Sequence, residues 1–428
     1  MKILIPTPVL PEKKSLRINF ISKIILQLNK QIDVEIVWVV FTPEHFSSFF
    51  VNNEEIFDIH DFDNGVDLLE KIKPDCVLVG SHFDPIQYSL SLAAKKLEIP
   101  LCSFFYNDYK SELSDENKTN QLTKYSKIIT SKNVPSDIPK NSKFFRRFRF
   151  IFYKFSFLRH TKKILKIFQL PFFIFFPKSL INYLFWKKIP INTLSDLFLL
   201  PNSSWINPLL EIGIKKEKLS ITGNPLWDNF TLNSKSIKNR DASSKISILI
   251  VTDALVQHGI WSAQKYTSFL NTVISNLIKE NKFSFSLKIH PASENKQFYL
   301  KLINKFKKDI PIYQNQSIYE IIDNYDLVLS FGFSTIHSEI VLSETRMILL
   351  DFNFNFPFLD FVQESVDIGN TKICKNINSL NNLIHTFVTY DISNIKFLEQ
   401  MKSKYSLTEK SGVLCADAIK NLVNNYNN

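Results

Sequence analysis

Two short stretches carry side chains suited to holding a phosphate and a ribose. The first is Lys288-Ile289-His290-Pro291, which closes an apolar run over 283–289. The second runs from Asp326 to Glu339 and reads Asp-Leu-Val-Leu-Ser-Phe-Gly-Phe-Ser-Thr-Ile-His-Ser-Glu. Two-residue alternation along a strand puts Lys288 and His290 on one face. A cation and an imidazole there would grip a diphosphate or monophosphate and stabilise charge on a leaving group. Ser334 and Thr335 follow Gly332 and open a helix. Their hydroxyls and the unpaired N–H groups of the first turn form an anion site, and the same atoms would also serve as an ordinary helix cap. Glu339 lies one turn further in. Its carboxylate would accept hydrogen bonds from two vicinal ribose hydroxyls, or simply complement the helix dipole. His337 reads as a surface residue.

A third loop, Thr252-Asp253 with Gln257-His258-Gly259, follows the first strand of the second half and faces the same crevice. In the first half, Ser81-His82-Phe83-Asp84 and Asn107-Asp108 follow strand ends. His82, Asp84 and Asp108 are each placed to act as general base towards an acceptor hydroxyl, and the sequence does not choose between them. Asp61 and Asp63 are weaker candidates of the same kind. The chain has no HExxH, Walker A, GxSxG or GxGxxG pattern. Its four cysteines, Cys76, Cys102, Cys374 and Cys415, are dispersed without a CxxC pair. Buried thiols are therefore expected, with no disulfide framework and no metal.

These loops need strands and helices in strict alternation to bring them together. Apolar runs at 2–5, 34–41, 74–80, 100–106, 196–200 and 219–223 read as strands, with helical patterns at 16–29, 66–72, 87–97 and 203–212. A polar stretch follows, and a second alternating set begins at 246. It continues through strands at 283–290, 310–313, 326–330 and 347–351. Unbroken apolar strands separated by helices predict parallel sheets covered on both faces. The expected organisation is an N-terminal Rossmann-like domain over 1–230, a linker over 231–245, a Rossmann-like domain over 246–400 and a helical tail over 401–428. The two domains would face a cleft. Only 8 glycines occur in 428 residues, against average usage of roughly 7%. Gly80, Gly223, Gly259 and Gly332 all follow strand-like runs, where crevice loops lie.

The net charge of +11 is local. Between Lys140 and Pro190 there are 13 Lys or Arg and no Asp or Glu, so the other residues sum to −2. The same insertion, about 140–190, is crowded with Phe, Tyr and Trp. Its longest apolar run, 167–176, is half the roughly 20 residues a membrane span needs and contains Pro171. No nucleic-acid motif accompanies it. An interfacial segment is expected, with cations among anionic headgroups and aromatic rings at the acyl boundary. An insertion packed on its own domain is the plainer alternative. The first residues form a strand too short for a signal sequence, so a cytoplasmic protein peripheral to the inner membrane face is expected.

Three stretches together resemble the GT-B superfamily, which holds nucleotide-sugar glycosyltransferases and UDP-GlcNAc 2-epimerases. Ile221-Thr222-Gly223-Asn224-Pro225-Leu226-Trp227-Asp228 is similar to its "TGNP…D" element, Lys288–Pro291 to "K-x-HP", and Asp326–Glu339 to "D-x-v-x-t…S-[ST]…E". The likeness extends to bacterial sialyltransferases and capsule polysaccharide transferases, where an HP motif and a paired Ser/Thr motif bind the nucleotide. It implies that role for His290, Pro291, Ser334 and Thr335, and a ribose contact for Glu339. The implied activity is metal-independent transfer, without a cofactor, from a CMP- or UDP-linked sugar to a lipid-linked or surface-polysaccharide acceptor. The "HVEAG" segment of the epimerases is missing, and the acidic-acidic-glycine motif of sialyltransferases has no clean match. A nucleotide-sugar epimerase or hydrolase, and a membrane-bound scaffold without catalysis, are the alternative readings.

Overall fold

A computed structural model describes residues 1–12, 16–51, 54–105, 140–167, 191–228, 245–257, 260–290, 294–332, 336–343, 345–352, 360–389 and 410–427. They divide into two compact units, each with its own sheet. The expected α/β class with two parallel-sheet domains is what forms.

The first unit contains β1 (Lys2–Thr7), β2 (Glu35–Val40), β3 (Phe49–Val51), β4 (Glu54–Asp58), β5 (Cys76–Gly80), β6 (Leu101–Phe104), β7 (Leu197–Leu200) and β8 (Leu219–Ile221). They are ordered β3-β4-β2-β1-β5-β6-β7-β8. All pairings are parallel except that of the edge strand β3 with β4. Alternation along each strand feeds two cores. Ile3, Ile5, Trp38 and Leu78 pack on one face with the helix Leu16–Leu28; Leu4, Val37, Val39, Val77 and Val79 pack on the other with Leu68, Leu69, Ile86 and Leu90. Such double-sided burial is why the strands read as unbroken apolar runs. β3 and β4 escape that reading. Glu54-Glu55-Ile56-Phe57-Asp58 alternates next to the edge strand β3, and only Ile56 and Asp58 are buried.

The C-terminal segment expected as a separate tail returns to this unit. Cys415, Ala416, Ile419 and Val423 of the helix Ser411–Asn427 join the core beside Ile21 and Ile24. Asp228, which ends the Thr222–Asp228 stretch, receives the N–H groups of Ser411 (3.1 Å) and Gly412 (2.9 Å).

The second unit contains β9 (Ile246–Val251), β10 (Phe283–Lys288), β11 (Ile312–Tyr313), β12 (Leu327–Ser330), β13 (Arg346–Leu350) and β14 (Thr371–Cys374). They run parallel in the order β11-β10-β9-β12-β13-β14. In both units the first strand is central, and the chain winds to one side and then to the other. The reversal falls between β1 and β5 in the first unit and between β9 and β12 in the second. Ligands of open α/β sheets bind beyond the carboxyl ends of the strands at such a reversal.

A recurring device locks the opposite ends. Asp75, Asp196 and Asp326 each stand just before a strand and accept the backbone N–H at the start of a neighbour. The donors are Lys2 (2.7 Å), Leu101 (3.2 Å) and Ser247 (2.7 Å) respectively. The aspartate of the Asp326–Glu339 motif is therefore a register lock at the far end of the sheet from any ligand crevice.

The basic aromatic insertion is described for residues 140–167. It forms the helix Lys140–Ile164. Phe157, Leu158, Lys154 and Thr161 are buried, packed towards the helices Gly65–Ile72 and Pro85–Lys96. Thr161 Oγ1 accepts the N–H of Gly65 at 2.8 Å, and Tyr153 donates its hydroxyl to the Ile59 carbonyl at 3.1 Å. This part of the insertion is a structural element of the first unit, as the plainer alternative held. Among the described residues no helix is long and apolar enough to cross a membrane.

Candidate functional site

The carboxyl ends of β9, β10 and β12 lie side by side. Val251 is in register with both Lys288 and Ser330, so Thr252, Ile289 and Phe331 leave the sheet together. Thr252 continues the ladder, donating its N–H to the Lys288 carbonyl at 3.0 Å. Its hydroxyl donates to Glu294 Oε2 at 2.6 Å.

Glu294 organises this end of the sheet. It is 5% exposed. Its carboxylate receives the His290 N–H (2.6 Å), the Thr252 hydroxyl, the Tyr266 hydroxyl (2.9 Å) and the Tyr299 hydroxyl. A buried carboxylate is tolerated only when its lone pairs are met, and here four donors meet them. Burial and the Glu294 charge push both tyrosine hydroxyls well above their ordinary range, so both stay protonated as donors. The result is a rigid clamp on the backbone of His290. Glu294 was not among the residues singled out from the sequence. Its one signal is an acid four residues beyond His290 in a polar stretch.

Lys288 is buried. Its ammonium donates to the carbonyls of Ile289 and Gln314, each at 3.0 Å. Two of its three donors are thus used within the protein, and Lys288 braces the strand end instead of standing open to a ligand. Burial lowers its pKa, while Glu339, Glu294 and Glu320 oppose the shift. Glu339 sits in the helix Ile336–Leu342. Burial pushes its carboxyl up to about 7, against the pull of Lys288. The structure therefore brings Lys288 and Glu339 into one electrostatic neighbourhood, with a carboxyl whose charge is decided near neutral pH.

Gly332 meets the expectation of a backbone requirement. Its φ is +83°, and an added Cβ would lie 2.8 Å from the Cβ of Asp253. Only glycine lets the β12 loop approach the Thr252-Asp253 loop so closely. His337 departs from the sequence reading. It is 2% exposed and its Nε2 lies 2.8 Å from Ser330 Oγ. Burial lowers its pKa to about 4, so it is a neutral core histidine that fastens the helix to β12.

In the first unit His82 follows β5. Its Nδ1 lies 2.9 Å from Ser81 Oγ, and its pKa falls to about 4 through burial and then the charge of Arg17. It is an uncharged imidazole at neutral pH. Arg17 is fixed nearby, donating to the Pro6 carbonyl (2.7 Å) and to Gln87 Oε1 (3.1 Å). Asp84 has a different duty. It caps the helix Pro85–Lys96 through the N–H groups of Ile86 and Gln87, and it pairs with Lys154 at 2.6 Å. Both of its oxygens are engaged, which leaves His82 the better base candidate. Pro291, Ser334, Thr335, His258, Gly259 and Asp108 lie outside the described residues.

No family model matches the chain, and no curated protein matches it. Solved structures do. The chain aligns with Staphylococcus aureus MnaA in a structure with UDP, at TM-score 0.52 and 14% identity, covering 99% of this chain and 97% of that one. It aligns with a putative UDP-N-acetylglucosamine 2-epimerase from Listeria monocytogenes at TM-score 0.54 and 12% identity, covering 98% and 95%. The UDP-GlcNAc 2-epimerase of Methanocaldococcus jannaschii gives TM-score 0.53 and 16% identity, covering 99% of both chains. The fold is GT-B. At these identities the likeness speaks for the GT-B architecture alone.

Proposed function

We propose that this chain is a GT-B enzyme acting on a nucleotide sugar, with the nucleotide held by the second unit. The observation that carries the reading is the clamp at the carboxyl ends of β9, β10 and β12. There Glu294 fixes the His290 backbone, Lys288 braces the same strand end, and Glu339 offers a carboxyl beside it. A buried four-donor carboxylate that fixes one loop is the kind of support that keeps a binding geometry rigid.

The reaction we infer is glycosyl transfer. His290 stabilises the negative charge that develops on the departing phosphate, and Ser334, Thr335 and Pro291 complete the phosphate site. Glu339 takes the ribose hydroxyls. Gly332, Thr252, His258 and Gly259 shape the surrounding loops. The first unit serves the acceptor, a lipid-linked or surface glycan, and supplies His82 as base. No metal or cofactor enters this scheme. The exposed side of the helix Lys140–Ile164 carries Arg149, Phe152, Arg159 and Lys163, spaced to form one stripe. That stripe supports a peripheral attachment to an anionic membrane.

A second reading, 2-epimerisation of a UDP-linked sugar, is favoured by the names of two of the solved structures above, and the third was solved with UDP. Transfer is preferred because the chain lacks the "HVEAG" segment that the resemblance assigns to epimerases. One experiment separates the two. The protein is incubated with UDP-GlcNAc and a panel of UDP- and CMP-sugars, with and without a glycan acceptor. Acceptor-dependent release of the free nucleotide supports transfer. Isomerised sugar formed without acceptor overturns it in favour of the epimerase.

A further inference from the structure

His45, Asp58 and His60 converge at the carboxyl edge of the first unit's sheet, on the β4 side and away from the β1/β5 reversal. Each offers a ligand atom, and these atoms all lie within 4.8 Å of one another. Asp58 ends β4 and is fully buried. His60 follows it in a short turn, and His45 comes from the loop after β2. We propose that these three side chains form a divalent transition-metal site, with Zn²⁺ the ion their chemistry fits.

Two imidazoles and one carboxylate are a recognised zinc donor set that leaves a fourth position for water. Zinc–donor bonds of about 2.0–2.2 Å put neighbouring donors about 3.4 Å apart in a tetrahedron. The distances bracket that value. His60 Nδ1 lies 2.7 Å from Asp58 Oδ1, and His45 Nδ1 lies 3.7 Å from Asp58 Oδ2. The His45 side chain is 73% exposed, so its rotamer adjusts freely while the other two stay fixed. Binding through Nδ1 uses the His60 tautomer that carries its proton on Nε2, which frees the Nδ1 lone pair for the metal.

The surroundings are built as a second shell. Asp58 Oδ2 accepts the Phe46 N–H at 2.8 Å, and Oδ1 accepts the His60 N–H at 3.1 Å. These bonds orient the carboxylate, as outer partners do in metal sites. The two imidazole rings lie 3.8 Å apart, and Tyr153 covers His60 at 4.5 Å. Asp61 and Asp63, in the same turn, add negative charge that attracts a cation. Bound there, the metal joins the loop after β2 to the end of β4, beneath Tyr153 of the basic helix. Lying away from the β1/β5 reversal, the site takes no part in the sugar chemistry proposed above.

The test uses the full chain with any affinity tag removed and its metal stripped by chelation. Zn²⁺ uptake is measured by calorimetry, and Co²⁺ binding by its visible absorption. One ion per chain is expected, with a tetrahedral Co²⁺ spectrum and a raised melting temperature. His45→Ala leaves an exposed position and should fold normally. Its affinity should fall by more than the roughly 10- to 100-fold that loss of an outer partner costs, and the Co²⁺ band should vanish. His60→Gln should behave alike. Equal Zn²⁺ affinity in the wild type and His45→Ala would overturn the proposal, as would an absence of saturable binding. In either case the three side chains would be a turn cap and its neighbours only.

Discussion

The backbone of His290 is held by Glu294, and its ring is the group assigned to the leaving phosphate. His290→Ala should reduce turnover by roughly 10²–10³-fold, the usual loss for a preorganised charge-stabilising donor, with the melting temperature unchanged. Glu294→Ala acts differently. It removes the acceptor shared by two tyrosine hydroxyls, the Thr252 hydroxyl and the His290 N–H. Stability should fall by about 1–3 kcal/mol, the range for leaving a buried donor unsatisfied, and nucleotide binding should be lost with it. Denaturant unfolding beside a binding titration distinguishes the two variants. Glu339 gives a pH signature. Its folded pKa of about 7 stands above the ordinary 4.5, so the folded chain keeps a proton that the unfolded chain releases between those values. Stability should therefore fall as pH rises across that window, by of order 1 kcal/mol per pH unit. Glu339→Gln should remove this component. Parallel stability profiles for the two proteins between pH 4.5 and 8 would contradict the burial argument.

At the scale of elements, the helix Lys140–Ile164 is the clearest case of one segment with two faces. Phe157, Leu158 and Thr161 hold it to the first unit, and Lys154 reaches Asp84 with 9% and 14% of the two side chains exposed. Phe157→Ala should cost about 3–5 kcal/mol. Lys154→Met should lower the melting temperature while turnover per folded molecule persists, whereas His82→Ala should do the reverse. If Lys154→Met abolished turnover at full stability, Asp84 would return as the base. The sequence disclosed the elements that are buried on both sides, because continuous apolar runs mark them directly. It concealed the edge strands β3 and β14 and the strand β4 beside β3, which are short and only partly buried. The site was legible only in part, for a related reason. His290, Lys288 and Glu339 stand at strand or helix ends, where position suggests a role. Glu294 and Tyr266 act through contacts made by folding, and His45 meets Asp58 and His60 across a spacing that matches no short motif. Lys288 was read as a displayed cation and His337 as a surface residue because alternation gives a face without saying what covers it.

For the whole molecule, the charge of +11 concentrated in one insertion is the basis of the proposed attachment to an anionic surface. Reversing Arg149, Arg159, Lys163 and Lys166 to glutamate alters exposed positions alone. It should release the protein from vesicles containing anionic lipid, each surface cation contributing about 1 kcal/mol, without unfolding it; unchanged co-sedimentation would remove the membrane from the account. The nucleotide site itself is tested most directly by calorimetric titration of the wild type, His290→Ala and Glu339→Gln with UDP, CMP and GDP. One of the three nucleotides should bind the wild type at a single site and bind both variants at least tenfold more weakly, a difference of about 1.4 kcal/mol. No binding of any nucleotide by the folded wild type, or equal affinity in all three proteins, would contradict the assignment of the β9, β10 and β12 ends to the donor.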